Sequence, residues 1–454
     1  MRIESINPAT GETLRHFDPL TRAEIELRLA RAAAAFASYR RTDFATRAEL
    51  LRTVERILAR EGGDYARTIT LEMGKPLRAA REEIQKCASV CSYYATHGEE
   101  LLKPAETKTT ASRSYVRFDP IGPVLAIMPW NFPFWQVFRF AAPALMAGNV
   151  CLLKHAANVP QCALALEQIF RQAGFGEGIF QSLLIDTKQT AAVIDDPRVK
   201  AVTLTGSERA GAEVASRAAR QIKKSVLELG GSDPFVVMPS ADLEDASAVG
   251  VKSRTINAGQ SCIAAKRFIV AEAVYGRYVE QFVAKMRALR VGDPLDDKTD
   301  IGPLATEQIR NGVHEQAQKT IEAGAKLLLG GRLIAGRGYY YAPTVLVDVP
   351  PDSPAAREEI FGPVAAFFRA RNADEAVRIA NHTPFGLGAS VWTNDPGEQE
   401  LFASEIDAGM IFFNGMVASD PRLPFGGVKR SGFGRELGAE GIREFVNVKT
   451  IVTA

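Results

Sequence analysis

From Gly122 onward the chain alternates short apolar runs with amphipathic stretches. That order is compatible with few folds besides a parallel β-sheet covered by helices on both faces. The apolar run 124–128 comes first, then a strand-like segment over 150–154 and a helical one over 161–172. A strand over 201–205 and a helix over 207–224 follow. A second set of short apolar runs begins at 226–229 and 235–238 and continues through 268–270, 325–329 and 365–369. Ahead of this region, apolar residues recur every three or four positions over 22–39, 46–68 and 76–101, which predicts three long helices. Residues 3–14 read as an edge hairpin turning at Asn7-Pro8-Ala9-Thr10-Gly11, and 112–119 alternates as a strand. The β-rich tail, 444–452, has no neighbour in sequence, so a partner strand from another subunit is expected.

A chain of 454 residues exceeds one ordinary core and predicts two or three structural units. With 55 basic and 53 acidic residues spread along it, the chain lacks the clustered basic surface that nucleic acid or an acidic membrane requires. No apolar run approaches the ~20 residues of a membrane helix, and Met1-Arg2-Ile3-Glu4-Ser5 has no signal-type apolar region. The five cysteines, Cys87, Cys91, Cys151, Cys162 and Cys262, form no disulfide framework and point to a reduced, cytoplasmic protein. Cys87 and Cys91 are four apart, but no His or further Cys stands close enough to complete a metal site. With Cys151 and Cys162 they read as small buried hydrophobes.

The chemistry is carried by a set of short motifs. Asn257-Ala258-Gly259-Gln260-Ser261-Cys262 puts a cysteine between a glycine turn and an expected helix start. Glu228-Leu229-Gly230-Gly231 places a carboxylate at a strand end, and Trp130-Asn131-Phe132-Pro133 follows an apolar strand. Glu359-Ile360-Phe361-Gly362-Pro363 and Pro424-Phe425-Gly426-Gly427 complete the set. A GxGxxG opening a helix is absent, and Gly206-Ser207-Glu208-Arg209-Ala210-Gly211 lacks the Lys-Ser/Thr of a P-loop. That segment does join a strand to a helix N-terminus, which favours a pyrophosphate.

In these motifs and their order the chain resembles the aldehyde dehydrogenase superfamily over essentially its whole length. The resemblance implies a Cys262 thiolate that attacks an aldehyde, with the oxyanion held by the Asn131 amide and the Cys262 N–H. It implies a hydride transfer to NAD(P), then hydrolysis of the thioester by water activated at Glu228. It also implies cofactor contacts from Trp130, Asn131, Lys154, His155, Ala156, Ala157, Gly206, Ser207, Leu229, Glu359 and Phe361. NAD-preferring relatives carry Lys-Pro-x-Glu after the strand, and here the run is Lys154-His155-Ala156-Ala157. Without a carboxylate at Ala157 nothing repels a 2′-phosphate, and dual use of NADP and NAD is expected, with the balance toward NADP.

Trp135 and Arg139, on the helix after Trp-Asn-Phe-Pro, and Ser419 are the expected substrate contacts. By resemblance to the short bacterial succinate-semialdehyde dehydrogenases, Arg139 and Ser419 would bind a substrate carboxylate. Many such enzymes have an arginine where this chain has Ile256, and Arg254, if helical, would face elsewhere. Glutarate semialdehyde and uncharged aldehydes therefore stay open as substrates. A CoA-acylating enzyme would lack Glu228, a cysteine acyl hydrolase would need a histidine at Cys262, and a silent relative would not need Cys262, Glu228 and Asn131 together.

The expected architecture is α/β. Residues 1–107 and 122–227 form a Rossmann-like cofactor domain, and 228–407 an α/β catalytic domain. Residues 408–439 return to the cofactor domain and form the active-site rim, and 108–121 with 440–454 make a small β oligomerisation element for a homodimer or homotetramer.

Overall fold

The alternation builds two parallel sheets, seen in a computed structural model that describes residues 3–454. The smaller sheet has six strands in the order Gly432–Phe433, Lys224–Glu228, Ala201–Thr205, Pro123–Met128, Val150–His155, Phe180–Ser182. All pair in parallel except the two-residue edge strand Gly432–Phe433. The larger sheet has seven, in the order Lys326–Leu329, Thr344–Val347, Val364–Ala370, Arg267–Ala271, Pro234–Val237, Gly388–Trp392, Met410–Phe413, with the first alone antiparallel. Near-continuous apolar runs such as Ala201–Thr205 are buried along their whole length, as strands covered on both faces must be. This is the Rossmann-like plus catalytic α/β architecture.

The N-terminal hairpin pairs Ile3–Ile6 with Thr13–Phe17. The helices Arg22–Tyr39, Phe44–Met73 and Leu77–Leu101 pack their apolar faces into the core of the smaller sheet. The second runs longer than its periodicity shows, because Asp43 caps its start and Gly74 closes it in the left-handed region (φ 83). The helix expected over 207–224 spans Glu208–Arg220. Ser207 caps it, and Ile222 turns through φ 53 before the strand Lys224–Glu228 begins.

The tail does not need another subunit as its strand partner. Val446–Thr453 pairs antiparallel with Arg113–Pro120 of the same chain through eight registered positions, and Ala105–Glu106 adds a third strand. A second correction concerns residue 407. Met410–Phe413 hydrogen-bonds to Gly388–Trp392, so the larger sheet ends beyond 407, and the chain rejoins the smaller sheet only at Gly432.

The C-terminal ends of neighbouring parallel strands converge on one edge of the smaller sheet. Thr205 lies opposite Glu228, Ile127 opposite both Lys154 and Leu204, and Met128 opposite His155. Glu228, Gly206, Ser207, Trp130, Asn131 and Lys154 are thereby delivered to one crevice, where open α/β sheets bind their ligands.

Candidate active site

Cys262 sits on a turn that many bonds hold. After the helix Leu243–Thr255, Asn257 (φ 54), Ala258 (φ 55) and Gly259 (φ 79) run through left-handed backbone. Such geometry in non-glycine residues persists only where the surroundings enforce it. At position 259 a Cβ would lie 2.3 Å from the Gly362 carbonyl, so only glycine fits. The Asn257 amide donates to the carbonyls of Asn131 (2.7 Å) and Gln260 (3.1 Å), and the Gln260 amide returns to the Asn257 carbonyl (3.0 Å). Arg254, fully buried, donates to the Gly259 carbonyl (2.6 Å).

No helix starts at Cys262. The carbonyls of Ser261 (2.8 Å), Cys262 (2.8 Å) and Ala264 (3.1 Å) all accept from the Lys266 ammonium, and the one backbone bond in this stretch is the turn contact from the Ala264 N–H to the Ser261 carbonyl (3.2 Å). The chain then passes directly into the strand Arg267–Ala271. Lys266 also lies 3.4 Å from Glu359, whose carboxylate accepts from the Gly231 N–H (3.1 Å).

The Cys262 side chain is half-buried. Burial pushes its thiol up to about 12, against the pull of Arg139 and Lys266. At neutral pH the thiol is therefore protonated in this state, and attack requires a proton acceptor. Asn131 is buried beside it. The Asn131 Nδ2 donates to the Gln260 carbonyl (3.0 Å), and its Oδ1 accepts from Gln136 (3.1 Å). An amide nitrogen carries two protons, so one N–H is left to meet a developing oxyanion.

Glu228 is not a solvated strand-end charge. It is buried, and neither carboxylate oxygen has a hydrogen-bond partner. Burial and then Glu436 raise its carboxyl well above the usual carboxylate range, while Arg139 and Arg435 oppose this. A buried, unpartnered carboxylate of this kind is a stronger proton acceptor than a solvated one, as a general base must be.

Cys262 lines a cavity of about 290 Å³ with Trp135, Arg139, Ser419, Lys86 and Phe425. Arg139 faces it with its charge already matched. The guanidinium pairs with Glu436, 3% and 4% exposed respectively, and it stacks 4.3 Å over the Phe425 ring. At the same cavity the Ser419 hydroxyl accepts from the Trp135 indole N–H (3.1 Å) and the Lys86 ammonium (2.6 Å). Glu83 fixes the wall by accepting from the N–H groups of Phe134 (2.9 Å) and Trp135 (3.0 Å), at the start of the helix Trp135–Met146.

Among the residues expected at a cofactor, Trp130 and Phe361 meet edge to face with centroids 5.9 Å apart. Ser207 accepts from the Ala210 N–H (3.4 Å) at the start of its helix. Leu229 packs so closely on that helix that a Cβ at Gly211 would fall 2.6 Å from its Cδ2. Lys154 is half-buried and its ammonium is pushed down by burial, with Asp186 the one opposing charge. Ala156 is half-buried and Ala157 exposed. His155 departs from its expected role. Its Nε2 donates to the Pro133 carbonyl (2.8 Å) while its Nδ1 accepts from the Ala156 N–H (2.9 Å), and burial lowers the ring to about 4. The imidazole is a neutral strut behind the Trp-Asn-Phe-Pro loop, with both nitrogens committed.

The sequence profile of the aldehyde dehydrogenase family matches residues 1–451. The chain belongs to the aldehyde dehydrogenase family. It is 55% identical over 454 residues, 99% of each chain, to a Mycobacterium tuberculosis protein named succinate-semialdehyde dehydrogenase (NADP+) 1. A Synechocystis protein named probable succinate-semialdehyde dehydrogenase (NADP+) is 54% identical over 451 residues, also 99% of each. The crystal structure of succinic semialdehyde dehydrogenase from Streptococcus pyogenes, in complex with NADP+, superposes with a TM-score of 0.97 at 37% identity, covering 99% of both chains.

Within this aldehyde dehydrogenase site, four residues escape sequence reasoning. Lys86 follows Glu82 by four positions, the spacing of an ordinary surface ion pair. Lys266, Glu436 and Glu83 belong to no motif that marks their partners. In the described residues no group of His, Cys, Asp or Glu could hold a metal ion.

Proposed function

We propose that this enzyme oxidises succinate semialdehyde to succinate, with NADP+ as the preferred acceptor and NAD+ as a slower alternative. The observation that carries the substrate is the small cavity that Cys262 shares with the Ser419 hydroxyl and the Lys86 ammonium, which keep an O–H and two N–H protons undonated once Lys86 and Trp135 have both donated to the Ser419 oxygen. An apolar aldehyde would leave those buried donors unmatched. The names of the relatives, at 53–55% identity, support the same reading.

In this reading the Cys262 sulfur bonds to the aldehyde carbon as its thiol proton passes to Glu228, whose charge acts on the thiol, and Glu228 releases that proton to solvent before water attacks. The oxyanion that forms accepts from the second Asn131 N–H and the Cys262 N–H. Lys154, Gly206, Ser207, Ala156, Ala157, Leu229, Trp130, Glu359 and Phe361 would hold the dinucleotide, and nothing at Ala157 repels a 2′-phosphate. When bound, its nicotinamide supplies the two-electron acceptor for the hydride. Glu228 then takes a proton from water as the hydroxide adds to the thioester on Cys262. Collapse releases the acid and returns the thiol. A cysteine hydrolase gains no support, since no histidine is among the residues found to line the cavity.

The exposed apolar side chains Val448 and Val452 on the edge strand Val446–Thr453 support a homodimer or homotetramer. Five unpaired cysteines support a cytoplasmic setting, and among the described residues no helix is long and apolar enough to cross a membrane.

The test is a steady-state assay with succinate semialdehyde and butyraldehyde, each with NADP and NAD, on the wild type and Cys262→Ala. A strong preference for the carboxylated aldehyde and for NADP, lost in Cys262→Ala, is expected. Equal kcat/KM for the two aldehydes would overturn the substrate assignment and leave the family chemistry intact.

A further inference from the structure

Four cationic side chains line the Cys262 cavity: Lys75, Lys86, Arg139 and Lys252. Lys75 is buried in an ion pair with Glu83 and sits 3.8 Å from the centroid of the Phe132 ring. Arg139 is paired with Glu436. Lys252 is exposed, on the last turn of the helix Leu243–Thr255. Lys86 differs from all three. It is half-buried on the helix Leu77–Leu101, and among the described residues no carboxylate lies within ion-pair distance of its ammonium.

The nearby acids are occupied or face water. Glu83 is shared between Lys75 and the N–H groups of Phe134 and Trp135. Asp420 is bound by Arg422, and Glu82 is exposed. The Lys86 ammonium rests 4.5 Å from the centroid of the Trp135 ring and donates one hydrogen to Ser419.

The hydrogen count at Ser419 points the same way. Its oxygen accepts from both Lys86 and Trp135, which uses its two acceptor positions. Its own O–H proton is left to donate. Lys86 likewise has two N–H protons unused. A sheltered ammonium and a hydroxyl, each with only donors to offer, form a receptor for a small anion.

We propose that Lys86 is a specificity-determining residue for a carboxylated aldehyde, gripping the carboxylate together with the Ser419 hydroxyl in the cavity that Cys262 lines. The assignment deepens the succinate-semialdehyde reading and rests on it. It also explains why a chain with Ile256 at a position where relatives carry an arginine keeps a cation for the substrate.

The experiment compares wild type, Lys86→Met and Lys86→Arg with succinate semialdehyde and butyraldehyde, and measures succinate as a product inhibitor. Loss of a charge-assisted contact lowers binding about 10–100-fold. In Lys86→Met, the KM for succinate semialdehyde and the inhibition constant of succinate should rise by that factor. The kcat should change less than about 3-fold, and butyraldehyde kcat/KM should fall less than about 3-fold. Lys86→Arg should recover most of the succinate-semialdehyde KM. Equal losses on both aldehydes, or an unchanged KM for succinate semialdehyde, overturn the role of Lys86 while the wild-type preference still stands. A wild type without that preference overturns the substrate reading and the Lys86 assignment together. Circular dichroism and NADP binding by fluorescence verify that each variant is folded, and Lys86→Gln replaces Lys86→Met where the latter is not.

Discussion

Replacing Arg139 by Met separates a structural guanidinium from a substrate-binding one. Arg139 and Glu436 are 3% and 4% exposed, so solvent does little to screen their pairing. Removing one member of such a pair strands a buried charge at a cost of about 3–5 kcal/mol. For a cooperative unit of about 150–250 residues that corresponds to a fall in melting temperature of about 6–20 °C. The loss should also depend on pH. Burial raises the Glu436 carboxyl and Arg139 holds it down, so without Arg139 the carboxyl rises further. A carboxyl raised in the folded state costs stability above that raised value and nothing below its unfolded value, about 4.3. The deficit of Arg139→Met should therefore be largest near pH 8 and shrink as the pH falls toward 5. Scanning calorimetry at a series of pH values gives the stability side. Parallel kcat/KM values for succinate semialdehyde and butyraldehyde give the catalytic side, where both should fall alike because the damaged pair adjoins Glu228. A melting temperature within about 2 °C of wild type at pH 8, with a loss confined to the carboxylated aldehyde, would show that the guanidinium binds substrate and refute this reasoning.

Glu228→Gln should let the acyl-enzyme accumulate, seen as a burst of reduced cofactor followed by a slow steady state; a normal steady-state rate without a burst removes Glu228 as the base. Burial and Glu436 raise the Glu228 carboxyl, and a base acts only when deprotonated, so the wild-type deacylation rate should climb with pH through a midpoint above the ordinary carboxylate range. Single-turnover deacylation between pH 5 and 9 checks this, and a midpoint near 4 would contradict it. Ala157→Glu, at an exposed position after the strand Val150–His155, should weaken NADP binding at least about 10-fold and spare NAD, as fluorescence titration would read. Burial, aided by Arg139, lowers the Lys86 ammonium to about 8, opposed by Asp420 and Glu83. The KM for succinate semialdehyde should accordingly rise above pH 8 as the ammonium is lost, while that for butyraldehyde stays level.

Much of this protein is legible locally. Short apolar runs become buried parallel strands, and the span 22–39, read from three- and four-residue spacing, coincides with the helix Arg22–Tyr39. The motifs around Trp130, Glu228 and Cys262 identify the family, because the turn through Asn257, Ala258 and Gly259 needs those residues in order. Local pattern misleads where a distant group takes over a local task. An apolar stretch after Cys262 looks like a helix start, yet the Lys266 ammonium takes the carbonyls a helix would have used.

The sequence alone determined the α/β class, the helical and strand segments and the motif residues, since burial periodicity and turn chemistry are written over a few consecutive positions. Only the tertiary structure decided which charges are spent and which are free. Arg139 looks available until the fold brings Glu436 onto it, and Lys86 looks like a surface charge until the cavity encloses it with Ser419. The tail looks unpartnered until Arg113–Pro120 comes alongside. Coulomb energy and hydrogen bonding depend on distance through space, and residues some three hundred positions apart carry no local mark of that distance.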